Sequence, residues 1–299
     1  MRLTSVAAIS LHGKLTHEQM SITPTNDLTP FGRHAPGALL RRVLAWTRAA
    51  GQSWLAHRHA FFLRGLSIKA LGGRPVDVSS LGAKMRLYPY NNVCEKRILF
   101  TPQYFDEPER LLLKSRITPE FVFIDIGSNV GGYALYVAAN AGPLARILAI
   151  EPQPEIFERL IYNIRQNPFA TVKAMDCALA DEDGEITLFL PSHNRGESSV
   201  RIVSAEADGR RVRVPARTLT GVVDAEGYSR IDAMKLDVEG AEDLILEPFF
   251  RTSPEALWPK LMIMEHINAR WTVDLPRLIL DKGYREILRT RANVVYERD

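Results

Sequence analysis

Between residues 121 and 142 the chain spells out a strand, a turn and a helix in direct succession, and few folds accept that unit. Phe121, Val122, Phe123 and Ile124 form an apolar run of the kind buried on both faces of a parallel sheet, and the run ends in Asp125. Gly127, Gly131 and Gly132 follow, marking a tight turn where backbone comes close to something else. From Tyr133 onward, YALYVAANAG is apolar and rich in helix formers, and it stops at Gly142-Pro143. A strand, glycine loop and helix in this order place a nucleotide-like ligand at the helix N-terminus of an α/β fold.

The same alternation continues to the C-terminus. RILAIEP reads as a second strand ending in Glu151, and PEIFERLIYNIRQN as a helix with Ile156, Leu160 and Ile164 on one face. TVKAMDCAL reads as a third strand. EITLFLP and RRVRVPAR read as an antiparallel pair around a polar loop containing NRGESS. IDAMKLDVEG and KLMIMEHI supply the fourth and fifth strands, with the helix AEDLILEPFF between them, and YREILRT and NVVYERD close the chain as a strand pair. The prediction is a Rossmann-like α/β domain over 116–299, its central sheet mostly parallel with an antiparallel end.

Upstream, residues 1–35 are polar and proline-punctuated, and are read as a flexible tail. Residues 36–115 form an extension: basic amphipathic helices, two short strands (RPVDVSS and KMRLYPY) and a helix around DEPERLLLKSR. From Arg33 to Arg74 no acidic residue occurs, while Arg41, Arg42 and Arg48 alternate with leucines and tryptophans. That pattern is read as a solvated basic face over a packed one, with contact to an anionic membrane as the weaker alternative.

The 299 residues, 46% hydrophobic and 24% charged, suffice for one large core and a smaller appendage. A net charge of +3 makes no case for nucleic acid. Cys94 and Cys177 supply neither a disulfide framework nor zinc spacing, which fits a reducing, cytoplasmic compartment. No run of about 18 apolar residues reads as a membrane span, and the N-terminus lacks the pattern of a secretory signal.

The ligand follows from the strand ends. A dinucleotide loop needs glycine at its second position, and here that position is Asn129. Asp125 can accept from an ammonium group or orient the loop, Glu151 can accept from a ribose diol, and Asp176 can meet an adenine amine. These three carboxylates suit an amino-acid-bearing nucleoside, S-adenosylmethionine, better than a polyphosphate.

Together, FIDIGSNVGGYAL, AIEPQPEIFERLIYNI, RTL and above all MKLDVEGAEDLIL resemble the FkbM-type S-adenosylmethionine-dependent methyltransferases, over roughly residues 120–268. The resemblance implies the class I methyltransferase fold and methylation of a hydroxyl on a small molecule, sugar or polyketide-like acceptor. It carries cofactor contacts to Asp125, Gly127, Ser128, Asn129, Gly131, Glu151 and Asp176, with the Asp237 region closing the site. Ser128 stands where the family often has alanine, and the basic N-terminal zone has no counterpart in it.

Groups nearest the transferred methyl are expected at the ends of the fourth and fifth strands. Asp237 and Glu239 are the first candidates, as a proton-accepting pair or as oxygen ligands for a divalent cation, and His266 is the second candidate base. The plainer reading of Asp237, Glu239 and Glu242 is an acidic first helical turn. Two other functions remain open on sequence: a binding protein that uses the basic helices, and a nicotinamide-dependent oxidoreductase.

Overall fold

The computed structural model of the chain describes residues 26–191, 209–266 and 271–299; the NRGESS loop and the first 25 residues of the expected tail lie outside the described residues. Two helices come first, α1 (Ala38–Arg48) and α2 (Trp54–Leu71), then a hairpin of β1 (Val76–Ser80) and β2 (Ala83–Leu87). Helices α3 (Val93–Phe100) and α4 (Glu107–Arg116) lead into β3 (Val122–Ile126). Next follow α5 (Gly132–Asn140), β4 (Arg146–Ile150), α6 (Pro154–Arg165), β5 (Val172–Met175), β6 (Ala178–Leu179), β7 (Gly184–Pro191) and β8 (Gly209–Arg217). The chain ends with α7 (Leu219–Ala225), β9 (Ala233–Leu236), α8 (Glu242–Thr252), β10 (Leu261–Glu265), α9 (Leu275–Asp281), β11 (Arg285–Arg289) and β12 (Asn293–Glu297).

Seven strands form the central sheet in the order β11-β12-β10-β9-β3-β4-β5. The five from β10 to β5 are parallel, β12 runs antiparallel to β10, and β11 antiparallel to β12. The expected Rossmann-like sheet with an antiparallel end is therefore what the chain forms. After β3 the chain steps outward to β4 and β5, then returns to lay β9 against the other edge of β3. Such a reversal opens a crevice beyond the C-terminal ends of the two strands.

Alternation along β3 fills both faces. Phe121 and Phe123 join a core with Leu135 and Leu160, while Ile124 and Ile126 join a second core with Val222, Ile245 and Phe249. The first core runs on into Met85, Leu87, Ile98 and Phe100, so the hairpin and α3 pack on the sheet domain.

Beyond the short helices α7 and α9, which the sequence reading left out, four features differ from it. The third strand breaks at Asp176, and β6 leaves the central sheet for a separate one ordered β6-β8-β7. Helix α3 was not foreseen, although the Asn92 side chain accepts from the Glu95 N–H at 3.2 Å, a cap that the spacing Asn-x-x-Glu signals. Arg48 is not on a solvated face, because it donates to the carbonyls of Leu99 and Ser79.

Finally, the loose tail does not extend to residue 35. Arg86, only 1% exposed, pairs with Asp77 at 2.7 Å and donates to the carbonyls of Asp27, Thr29 and Pro30. Asp77 also accepts from the N–H groups of Gly32 and His34, and Arg159 donates to the Asn26 side chain. Polar bonds to a buried ion pair hold this segment, and a search for apolar periodicity cannot detect them.

Asp77→Ala would leave the buried Arg86 guanidinium without its closer anion, with only the half-exposed Asp27 carboxylate 3.5 Å away. The expected loss is about 3–5 kcal/mol of unfolding free energy, with truncation through residue 35 destabilising in the same direction. Chemical denaturation reads both, and unchanged midpoints would show that the docked segment contributes nothing.

Candidate active site

The glycine loop after β3 is shaped by what lies against it. Gly127 has φ +75°, and a Cβ there would sit 2.0 Å from the Asp237 carbonyl oxygen, so only glycine lets the β3 and β9 ends touch. The N–H groups of Gly127 and Ser128 both donate to the Ile150 carbonyl, at 3.0 and 2.9 Å, which pins the loop across to β4. Asp125, 2% exposed, accepts from the Ala134 N–H at 2.9 Å and so caps α5 from the strand below. Glu151 accepts from the N–H groups of Asn129 and Gln153, each at 2.9 Å. Each carboxylate oxygen has a second lone pair for a ligand hydroxyl. The Ser128 hydroxyl is buried and makes no hydrogen bond.

Across the crevice lie the ends of β9 and β10. Lys235, 2% exposed, holds its ammonium 3.1 Å from Asp237 and 5.6 Å from the centre of the Tyr133 ring. Ligand oxygens of Asp237, Glu239 and Glu265 all lie within 4.8 Å of one another, a spacing an oxygen-preferring cation can use. Glu239 has φ +55°, a conformation that costs a non-glycine residue and is typical of functional sites. One Glu265 oxygen is buried without a hydrogen bond. Glu242 does something different: it accepts from the Trp271 indole N–H at 2.7 Å and from the loop N–H groups of Val238 and Gly240. The acidic series thus divides, with Glu242 bracing the turn and Asp237 and Glu239 turned to a third carboxylate.

These groups line one cleft, about 1210 Å³ including its open mouth, whose remaining wall is α3 with Phe105, Asp106 and Tyr133. Asp125, Gly127, Ser128, Asn129, Glu151, Asp237 and Glu239 meet there as read from sequence. Gly131 lies behind the lining, where a Cβ would press on Leu160 at 2.9 Å. Asp176 is exposed just past β5, and its neighbours Cys177, Ala178 and Leu179 form the lining instead. His266 is not brought to the cleft: its N–H bonds Ala292 and its ring nitrogens lie 3.0–3.1 Å from the Arg289 guanidinium. Adjacent residues on a strand face opposite sides, so Glu265 in the lining puts His266 outside it.

Sequence reasoning passed over Lys235 and the α3 residue Arg97; it noted Glu265 beside His266 at the fifth strand end without giving it a role of its own, and took Cys94 for an inert residue. Lys235 carried a signal, since a lysine within the otherwise apolar AMKL strand needs a buried partner.

Burial decides the titration of the cleft. It raises Asp125 from 3.8 to about 7, against the pull of Lys235 and the Ala134 N–H. Burial likewise raises Glu151 from 4.5 to about 7 despite two N–H donors. Glu265 goes from 4.5 to about 8, through burial and then the charges of Asp237 and Glu239.

A family profile described as "Methyltransferase FkbM domain" matches residues 125–286. The chain belongs to the FkbM methyltransferase family. Its match begins at the aspartate that caps α5 and takes in both halves of the cleft, and it displaces the nicotinamide alternative. Among curated relatives, methyltransferase sdnD of Sordaria araneosa is 30% identical over 204 residues, spanning 56% of this chain and 75% of sdnD. Hexuronic acid methyltransferase AglP of Haloferax volcanii is 29% identical over 140 residues, 46% of this chain and 53% of AglP. A solved precorrin-6y C5,15-methyltransferase from Geobacter metallireducens aligns at 12% identity and a TM-score of 0.39, covering 66% of this chain and 90% of that one. Fibrillarin of Aeropyrum pernix, bound to S-adenosylmethionine, aligns at 13% and 0.38, covering 64% and 74%. At such scores these two likenesses add nothing to the topology already described.

In the ligand-free protein the three raised carboxyls hold protons more tightly folded than unfolded. Their stabilising contribution is complete below about pH 4 and is lost as the pH rises through 7 to 8. Thermal unfolding of the free protein should therefore show the melting temperature falling from pH 5 to pH 8, with a shallower fall in Glu265→Gln. A melting temperature that rises over that window would contradict the assignment.

Proposed function

We propose that this chain transfers the methyl group of S-adenosylmethionine to a hydroxyl oxygen of a small-molecule or sugar acceptor. The observation that carries the reading is the meeting, in one cleft, of a glycine loop flanked by Asp125 and Glu151 with the carboxylates Asp237, Glu239 and Glu265. The loop fits the cofactor: Gly127 leaves backbone room, the Ser128 hydroxyl has no other partner, and Glu151 offers free lone pairs to a diol. When bound, the cofactor supplies a methyl already activated on a sulfonium sulfur.

The chain's part is to hold the acceptor oxygen in line and take its proton. Glu265 is the proposed proton acceptor, in place of His266. Its buried oxygen has no other hydrogen bond, and its carboxyl sits near 8, close to an operating pH at which a base both accepts and releases protons. Asp237 and Glu239 orient the acceptor and hold the Glu265 proton affinity up. Lys235 already places a positive charge 3.1 Å from Asp237, so the cluster carries a counter-charge of its own. Arg97 in the α3 wall is paired with Asp106 at 2.9 Å through one guanidinium nitrogen, which leaves the others to meet an acidic acceptor and makes hexuronic acids, named for AglP, the first compounds to try.

The test is formation of S-adenosylhomocysteine over a panel of hydroxylated sugars, sugar acids and polyketide alcohols. With a turned-over acceptor, Glu265→Gln should lower the rate by about 10²-fold or more with cofactor affinity kept. His266→Ala should stay within a few-fold of the parent, and Gly127→Ala should lose cofactor binding. Full activity in Glu265→Gln, or loss in His266→Ala alone, would return the base to His266, and a rate abolished by chelator would select a metal.

A further inference from the structure

Helix α2 is 18 residues long, yet Ala60 is its only buried residue. Five large apolar side chains of this helix are exposed, Trp54 by 68% and Phe62 by 64%, along with Leu55, Phe61 and Leu66. On α1, Leu39 and Trp46 are exposed as well. At 100° per residue, Trp54, Leu55, Arg58, Phe61, Phe62, Leu66 and Lys69 fall within roughly 140° of one another, one continuous stripe of the helix. The Trp46 ring on α1 lies 6.3 Å from the His59 ring on α2, so the stripes of the two helices adjoin. Scattered exposed apolar residues are ordinary, but a contiguous patch of this kind marks a contact surface.

The charge of the patch identifies what it meets. Residues 33–74 carry eight Arg and Lys and no Asp or Glu, whereas the whole chain is only +3, so the remainder is net acidic. Arg41, Arg42, Arg58 and Lys69 are all exposed. The Arg58 guanidinium lies 5.1 Å from the centre of the Trp54 ring, a cation placed directly beside an exposed indole. Between the helices runs a groove walled by Leu39, Leu40, Val43, Leu63, Leu66 and Leu71, with the exposed Arg33 and Arg74 completing its lining. No helix among the described residues is long and apolar enough to cross a membrane. Aromatic and leucine side chains at the level of arginine and lysine heads are what a helix lying in a bilayer interface needs. Each basic group near an anionic leaflet adds to that attraction.

We infer that the α1–α2 face docks this protein on an anionic lipid bilayer. Trp54, Phe62 and Leu66 enter the headgroup layer, while Arg41, Arg42 and Arg58 pair with lipid phosphates. The same helices reach the cleft, since both pack on α3 and the Tyr104 hydroxyl donates to the carbonyls of Ala50 and Gly51 between them. Arg97, in the cleft wall, donates to the Tyr104 carbonyl. Docking therefore fixes the α3 wall of the cleft relative to the lipid surface.

The experiment is co-sedimentation of the full chain with phosphatidylcholine vesicles, with and without about a third phosphatidylglycerol. The parent should partition onto the anionic vesicles, more weakly at raised salt, and little onto neutral ones. Trp54→Ser with Phe62→Ser, and separately Arg41→Glu with Arg42→Glu, should each cut partitioning at least tenfold at an unchanged melting temperature, because all four side chains are exposed. The inference is overturned if the parent ignores anionic vesicles, or if both double variants bind like the parent. It is also overturned if the chain self-associates without lipid and Trp54→Ser with Phe62→Ser makes it monomeric, since a second copy then covers the face.

Discussion

A buried ammonium organises the cleft. Parallel strands deliver their carboxyl ends to one side of the sheet, and in this chain those ends carry Asp125, Glu151, Asp237 and Glu265. Asp125, 2% exposed, raises the proton affinity of Glu151, 5% exposed, and Asp237 raises that of both Glu151 and Glu265, so a counter-charge is needed among them. Lys235 supplies it from the middle strand, in register with Asp125 on β3 and beside Ile263 on β10. It stays charged although burial opposes this, because Asp237 and Asp106 favour its ammonium form. Lys235 is the buried cation among these strand ends, and burial leaves Asp125, Glu151 and Glu265 holding protons near neutrality.

Geometry comes from backbone contact more than from side chains. Gly127 against the Asp237 carbonyl fixes how closely the two halves of the cleft approach, and the Ile150 carbonyl fixes the loop above it. Helix α3 then supplies a wall from outside the family match, since that match starts at residue 125. What it adds to the cleft is Arg97 and Cys94, beside Phe105 and Asp106.

The sheet was legible in the sequence because its strands are buried on both faces, so a run such as FVFI needs no partner to be recognised. The loop glycines and Glu151 were legible because each has a distinct backbone or hydrogen-bonding demand. Other parts were not, for definite reasons. Residues 26–35 dock through Arg86, Asp77 and Asn26, whose polar bonds leave no periodic trace. Glu265 and His266 are adjacent, and only the pleat of β10 decides which one meets the cleft. The helices of 38–71 were read as packed beneath a solvated face; in the fold the aromatic stripe of α2 is the exposed side, which a wheel of residues cannot tell without the partner helices.

The central claim is that a cationic nucleoside enters a cleft whose carboxylates are partly protonated at neutral pH. Calorimetric titration with S-adenosylmethionine at about pH 7, in two buffers of different ionisation enthalpy, tests it directly. A bound sulfonium and ammonium lower the proton affinity of nearby carboxyls, so binding should release protons, and fewer of them in Glu265→Gln. Absence of binding, or binding with no proton exchanged in either buffer, would contradict the account.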